Sequence, residues 1–342
     1  MALEPLDITS LAPVAEHPPI AATELAATLS ALTTPVVLRQ QVADWPIVAL
    51  AKQDSLTALD YLSEHATTEP VTVFEVAPTA NGRVFYNENF TGFNFRVHQG
   101  PFTRLAAQLK TPSPTGSSTF YLGSTLIERW FPRLAQTHHC GLEAHQPLTS
   151  LWLGQQSKVA AHSDFPLNLA CNIIGTRRFI LFPPEQVKNL YIGSLDFNPA
   201  GRPISMVDFA AVDFARFPKF EQALEHALVV DLAPGDCVYI PSMWWHYVEG
   251  LEAINAQINY WWRDTPTTAG SPSEALNHAI LTLRHLPTHE KRAWQQLFEH
   301  YVFADTQSID HIPSHLQGRL GDTDERLIKQ LKQQLAQQLM RK

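Results

Sequence analysis

The stretch ALVVDLAPGDCVYIPSMWWHYVEGLEAINAQINYWW, residues 227–262, decides the fold. Three runs in it, 227–232, 236–240 and 253–262, are rich in β-branched and aromatic residues, which suit the pleated, half-buried surface of a strand. Pro234-Gly235-Asp236 supplies turn chemistry between the first two. The same grammar recurs upstream in STFYLG (118–123), TSLWLG (149–154), HSDFPLNLACNII (162–174) and RRFILF (177–182), with Gly175 and Pro183-Pro184 as punctuation. Many short strands separated this way predict a barrel or a double-sheet jelly roll.

Outside this region the pattern is different. Towards the N-terminus the sequence predicts a helix over 23–32, opened by Thr23 with an acid in its first turn, a strand at 35–38 and a helix from Asp54-Ser55 to about His65. Residues 71–76 and 83–87 read as a hairpin around Asn81-Gly82, and 101–110 as a short helix with Pro101 in its first turn. Towards the C-terminus, 273–286 and 288–303 are helical patterns split by Pro287. From Asp322 onward Leu327, Leu331, Leu335 and Leu339, with Ile328 beside them, form an apolar stripe that must cover the chain's own barrel or a partner; a homodimer is expected. The fold expected is mainly β with helical additions: an N-terminal α/β segment at 1–115, a jelly-roll core at 116–265 and a C-terminal helical region at 266–342.

Composition bounds the function. A chain of 342 residues is long enough for about two domains. A hydrophobic share of 45% and a charged share of 17% exclude disorder as its main state. The net charge of −8 lacks the surplus of cations that tight nucleic-acid binding uses, so nucleic acid is not the expected partner, although a tRNA remains compatible. Cys140, Cys171 and Cys237 have no CxxC or finger spacing and read as reduced thiols. No apolar run approaches 18 residues and the N-terminus has no basic, then apolar, leader pattern, so a cytoplasmic protein with no membrane span is expected.

Chemistry concentrates at His162-Ser163-Asp164. On a strand, residues i and i+2 share a face, so His162 and Asp164 would project together. An imidazole and a carboxylate side by side are two thirds of the 2-His-1-carboxylate set that holds Fe(II) on one side and leaves the other open. His246, following PGDCVYIPSMWW, fits as the third ligand from a later strand. The residues alone also allow a surface His162, a turn Asp164 before Pro166 and a core His246 bonded to a carbonyl. His138-His139-Cys140 lacks a carboxylate partner and reads as a loop. Asn168, Ala170 and Asn172 share one strand face and Asn255, Gln257 and Asn259 another; polar side chains inside a barrel are costly unless they line a cavity, although a solvated face gives the same pattern. Arg177, opening RRFILF, could clamp a carboxylate from inside.

With these residues in hand, the chain resembles the JmjC/cupin-like family of Fe(II)- and 2-oxoglutarate-dependent oxygenases, including the cupin-like hydroxylases such as the asparaginyl hydroxylase that inhibits hypoxia-inducible factor. The matching stretches are PVVLRQQVADWPIV (35–48), LWLG (151–154), AHSDFPLN (161–168), GTRRFILFPPEQ (175–186), VDFAAVDFARFPKF (207–220), APGDCVYIPSMWWHYVEGL (233–251) and NYWW (259–262). The resemblance implies a double-stranded β-helix, iron held by His162, Asp164 and His246, and 2-oxoglutarate contacted by Arg177, Asn168, Asn259 and Tyr121. It places Trp261 near the substrate channel, with Tyr86 and Asn87 as further rim candidates. It implies hydroxylation, or demethylation through hydroxylation of an N-methyl carbon, coupled to conversion of 2-oxoglutarate to succinate and CO2. The substrate would be a protein, a peptide or a small molecule. Two positions depart from the pattern: Arg177 stands for a lysine and Val159 for a threonine. A metal-dependent cupin enzyme that does not use 2-oxoglutarate, and a non-catalytic cupin-fold scaffold, are the alternatives.

Overall fold

Two β-sheets face each other in the computed structural model, which describes residues 5–111, 116–199, 201–265, 269–304, 309–321 and 324–340. The chain divides into two compact units, Met1–Asp264 and Thr265–Lys342. The first begins with β1 (Ala12–Pro13), β2 (Ala15–His17), α1 (Leu25–Ser30), β3 (Val36–Leu38), α2 (Pro46–Gln53) and α3 (Ser55–His65). It continues through β4 (Pro70–Val76), β5 (Arg83–Val84), β6 (Phe95–Pro101), α4 (Phe102–Lys110), β7 (Thr119–Leu126), α5 (Ile127–Trp130) and α6 (Pro132–Ala135). Then follow β8 (Leu148–Gly154), β9 (Lys158–Ser163), β10 (Leu167–Ile174), β11 (Arg177–Phe182) and α7 (Phe220–Leu224). The last strands are β12 (Leu228–Leu232), β13 (Cys237–Ile240), β14 (Trp245–Gly250) and β15 (Asn255–Trp262).

Strands β8, β10, β13 and β15 lie in a nine-stranded sheet, ordered β2-β3-β13-β10-β15-β8-β7-β4-β6. Strands β9, β11, β12 and β14 lie in a six-stranded sheet, ordered β1-β12-β11-β14-β9-β5. The chain therefore crosses repeatedly between two antiparallel layers, the jelly-roll arrangement expected. Period-2 alternation sorts the side chains. Leu169, Cys171 and Ile173 of β10 and Ala256, Ile258 and Tyr260 of β15 turn outward into a core shared with Leu25, Leu29, Ile47, Leu59 and Leu62 of the N-terminal helices. Ala170, Phe179, Leu181, Val238 and Val248 turn inward between the sheets.

From the N-terminal segment, β3, β4 and β6 are strands of the nine-stranded sheet, within the first unit. The hairpin expected from 71–76 and 83–87 does not form: β4 pairs with β6 and β7, while β5 pairs in parallel with β9. The turn itself exists, with Asn81 and Gly82 both left-handed at φ 47° and 77°. It presses Gly82 against the neighbouring loop, where a Cβ would sit 2.1 Å from the Gln156 carbonyl oxygen, and Lys158 N–H donates to Gly82 O at 2.8 Å. That bond draws β5 into the other sheet. The single strand expected at 162–174 is two strands in different sheets, broken at residues 164–166, where Pro166 has no N–H to extend a ladder. Strand β6 was not foreseen; as an edge strand with mostly exposed side chains, it needs no apolar alternation.

The second unit contains α8 (Pro272–Leu283), α9 (Thr288–Phe298) and α10 (Glu325–Leu339). Ser271 and Glu274 cap α8 reciprocally, and the Asp324 carboxylate accepts the Leu327 N–H at the start of α10. Asp322, the expected start of the tail helix, lies outside the described residues. None of these helices holds a buried side chain, and among the described residues no helix is long and apolar enough to cross a membrane.

Candidate metal centre and its chambers

His162 and His246 are direct cross-strand partners on β9 and β14, with ring centroids 4.3 Å apart. Each ring is set by its own backbone: His162 Nδ1 lies 3.0 Å from Ala160 O, and His246 Nδ1 lies 3.1 Å from Trp244 O. A donated Nδ1–H leaves each Nε2 lone pair free for a metal. Asp164 joins from beyond the end of β9 rather than from the strand face the sequence predicts. The loop at 164–166 is pinned by three bonds: Met243 N–H to Asp164 O at 2.8 Å, Ser242 Oγ to Phe165 O at 2.6 Å and Arg263 Nη1 to Phe165 O at 3.1 Å. The Arg263 guanidinium also stacks on Phe165, 3.7 Å from the ring centre. Asp164 Oδ2 then lies 3.6 Å from His246 Nε2, and one donor atom from each of the three residues falls within a 4.8 Å span.

An ion bonded at about 2.1 Å draws such donors closer together, and two imidazoles with a carboxylate are a donor set for Fe(II) with open positions. The residues fit a metal. Burial, and then the neighbouring His162, hold the His246 imidazolium well below the usual histidine range, so His246 is a neutral ligand. Arg202 approaches Asp164 Oδ1 to 3.6 Å from the loop side. Among the described residues this is the one group of three or more His, Cys, Asp and Glu side chains that could hold a metal. His138, His139 and Cys140 lie outside regular structure, as expected, with His138 buried against Trp45 and Tyr61.

Two cavities meet at this group. The inner one is a small chamber between the sheets lined by Arg177, Asn168, Asn259, Tyr121 and Trp261, the co-substrate and channel residues named from the sequence, together with Gln257, Trp152 and Val159. The polar stripes are thus interior, not solvated: Asn168 and Asn259 are 2% and 3% exposed. Arg177 is 2% exposed, and burial pushes its guanidinium down to about 10. Its Nε and Nη2 have no hydrogen-bond partner, and neither do the indole N–H groups of Trp152 and Trp261. Arg178 next door points outward and uses the same Nε/Nη2 edge to grip Asp231 at 2.8 and 2.7 Å. Two successive arginines thus present the same fork, one filled by a carboxylate and one open into a chamber.

The outer cavity, about 790 Å³, has aromatic walls from Phe74, Trp152, Trp261 and Trp262, and His145, Arg202 and Arg263 among its polar groups. His162 and Asp164 line both cavities. Tyr86 and Asn87 line neither. The Tyr86 hydroxyl donates to Phe197 O at 2.6 Å, and the Asn87 side-chain oxygen accepts from Thr91 N–H and Gly92 N–H. Trp244 is core, with Nε1 donating to Thr33 O. Sequence reading missed Arg202, which lies in a loop without periodicity, and Trp152, although LWLG was among the matching stretches.

Comparison with known proteins agrees with this geometry. Residues 22–268 match the family described as the Cupin-like domain. HSPB1-associated protein 1 of Rattus norvegicus is 34% identical over 115 residues, 33% of this chain and 23% of that protein. Jumonji C domain-containing protein 5 of Drosophila melanogaster is 30% identical over 164 residues, 45% of this chain and 39% of the relative. The tRNA wybutosine-synthesizing protein 5 of Danio rerio is 26% identical over 181 residues, 48% and 52% of the two chains. The matched region spans about a quarter of HSPB1-associated protein 1 and about half of the wybutosine protein.

Proposed function

The chain belongs to the Cupin-like family, and from that premise we propose that it is an Fe(II)- and 2-oxoglutarate-dependent oxygenase. With O2 as the oxidant, it would hydroxylate a C–H bond of a protein or peptide side chain, or of a related substrate, one oxygen atom entering the product and the other the succinate formed from 2-oxoglutarate with loss of CO2. The observation that carries the reading is Arg177, a buried cation whose carboxylate-shaped fork is open. A buried charge without a partner costs several kcal/mol, and the far carboxylate of a dicarboxylic acid supplies what is missing. The indole N–H groups of Trp152 and Trp261 add donors to the same chamber. Burial raises the Tyr121 phenol, so it too stays protonated and able to donate. Val159 offers no hydroxyl, a loss of about 0.5–1.5 kcal/mol relative to threonine that the two-pronged arginine offsets.

His162, Asp164 and His246 would hold the iron, which when bound supplies the oxygen activation that no side chain here provides. The protein's own work is positional. Asp164 and His162 stand at the junction of the chambers, so co-substrate on one side and substrate on the other reach the same point. Aromatic side chains wall the outer cavity beside it, and Arg202 approaches Asp164 from the loop side. Hydroxylation and N-demethylation differ only in which carbon the outer cavity presents. The cavity admits a protein side chain or a small molecule, and a modified tRNA base stays compatible through the relative whose name refers to tRNA wybutosine.

The absent hydroxyl at Val159 favours, as a second reading, a metal-dependent cupin enzyme that does not use 2-oxoglutarate. Succinate release separates the two. Wild-type protein with Fe(II) should convert 2-oxoglutarate slowly even without substrate, and Arg177→Gln should abolish this; equal release by both proteins would refute the assignment of Arg177. We also propose a homodimer through α10, whose Leu335 and Leu339 are half exposed. A cytoplasmic setting agrees with three buried cysteines that are all free thiols.

A further inference from the structure

We infer that Gln257 is a positioning residue that sets the hydrogen-bond polarity of the inner chamber; this rests on the 2-oxoglutarate reading. On β15 the side chains of Gln257, Asn259 and Trp261 share the inner face, with Gln257 opposite Asn172 on β10 and Trp152 on β8. Gln257 Nε2 donates to Asn259 Oδ1 at 2.7 Å, and Asn259 Nδ2 donates to Asn168 Oδ1 at 2.9 Å. A carboxamide has one oxygen and one amino group, so the first link fixes the second. With its oxygen taken, Asn259 has only N–H to offer, and Asn168 must accept. The Asn168 amino group is then left to face the chamber, and among the described residues no hydrogen bond occupies it.

The opposite polarity would aim the Asn168 oxygen at the ligand's carboxylate. Residues 168 and 259 tolerate either direction; position 257 decides. The Gln257 oxygen is buried without a partner in the chamber that holds the open donors of Arg177 and Trp152. The Gln257 oxygen shares that chamber with those donors without a hydrogen bond to them, while its amino group is committed to Asn259. With the Gln257 amino group on Asn259 and the Asn259 amino group on Asn168, N–H groups face the chamber from the wall of Asn168 as well as from that of Arg177, a match for a dianion.

Gln257→Glu tests this. A glutamate cannot donate to Asn259, so the relay reverses, and its carboxylate competes with the ligand for Arg177. Gln257→Met removes the relay's first link without burying a charge. Each protein is loaded with Mn(II), monitored by electron paramagnetic resonance, and titrated with 2-oxoglutarate while tryptophan fluorescence is followed. Gln257→Glu should weaken 2-oxoglutarate binding by about 10- to 100-fold, and Gln257→Met by about 3- to 10-fold, with Mn(II) affinity unchanged. Binding within twofold of wild type in both variants would overturn the inference and leave the co-substrate reading standing. Loss of Mn(II) and 2-oxoglutarate binding together would show a collapsed site and also overturn it. If wild type itself does not bind 2-oxoglutarate, the co-substrate reading fails and the inference with it. Should Gln257→Glu not fold, the methionine variant decides alone.

Discussion

Replacing Arg177 with methionine should make the metal-free, ligand-free protein more stable. The guanidinium is fully enclosed, and burial pushes its pKa more than two units below the usual arginine range, down to about 10. At about 1.4 kcal/mol per pKa unit, holding it charged costs the folded state about 3 kcal/mol at neutral pH. Because the unfolded chain binds the proton more tightly, the cost is present at every pH below about 10 and fades only as pH rises beyond it towards the usual arginine range. Methionine fills most of the same space without a charge, and swaps of a buried ionic group for an apolar one are often neutral or stabilising by a few kcal/mol. Urea unfolding at pH 7, followed by circular dichroism, should show the midpoint of Arg177→Met displaced upward by the equivalent of about 2–3 kcal/mol. With both proteins loaded with Mn(II), adding 2-oxoglutarate should then raise the wild-type midpoint further and leave that of the variant where the metal put it, because only a ligand that binds the folded state stabilises it. A variant less stable than wild type without ligand would mean that Arg177 is already satisfied inside the protein. That result would refute the reasoning.

Other sites give independent tests. Burial holds His138 down to about 4, so the unfolded chain takes up a proton that the folded one refuses as pH falls from about 6.5 to about 4. Over that window His138→Phe should lose about 3 kcal/mol less stability than wild type, measured by urea unfolding at each pH. The Asp236 carboxylate, 3% exposed, accepts from Gln40 N–H, Gln40 Nε2, Arg39 Nη1 and Ala233 N–H. Asp236→Ala should therefore cost about 3 kcal/mol or more, read from the denaturation midpoint. If α10 forms the proposed dimer, wild type should scatter light with twice the mass of the Leu335→Glu, Leu339→Glu variant while both bind Mn(II) alike; equal masses would refute an interface through α10.

The parts of this protein that were legible in sequence are those where one face of an element is buried. The runs at 149–154, 177–182 and 253–262 carry inward and outward residues in alternation, and each forms a strand. The two histidines were legible because each stands in a β-rich stretch, and the register of β9 against β14 then makes them neighbours. Asp164 stands beside the two histidines for a reason that strand periodicity does not give: the break at Pro166 and the bonds from Met243 and Ser242 deliver its carboxylate. The false hairpin at 71–87 shows the limit of local signals. Asn81-Gly82 specifies a turn, but which strand lies alongside is set by residues some 70 positions further on. Tyr86 looked like a rim residue because aromatic side chains serve both cores and sites, and here it anchors Phe197 instead.

The proposed function requires this metal group and Arg177 to bind 2-oxoglutarate together at iron. Anaerobic titration of Fe(II) and 2-oxoglutarate into the purified protein, followed by visible absorption, tests it most directly, because only chelation of the oxoacid to the iron gives the metal-to-ligand charge-transfer band. The band should appear with wild type and be lost with His162→Ala and with Arg177→Ala. Iron binding without the band in wild type would contradict the account and leave a cupin metal site that works without this co-substrate.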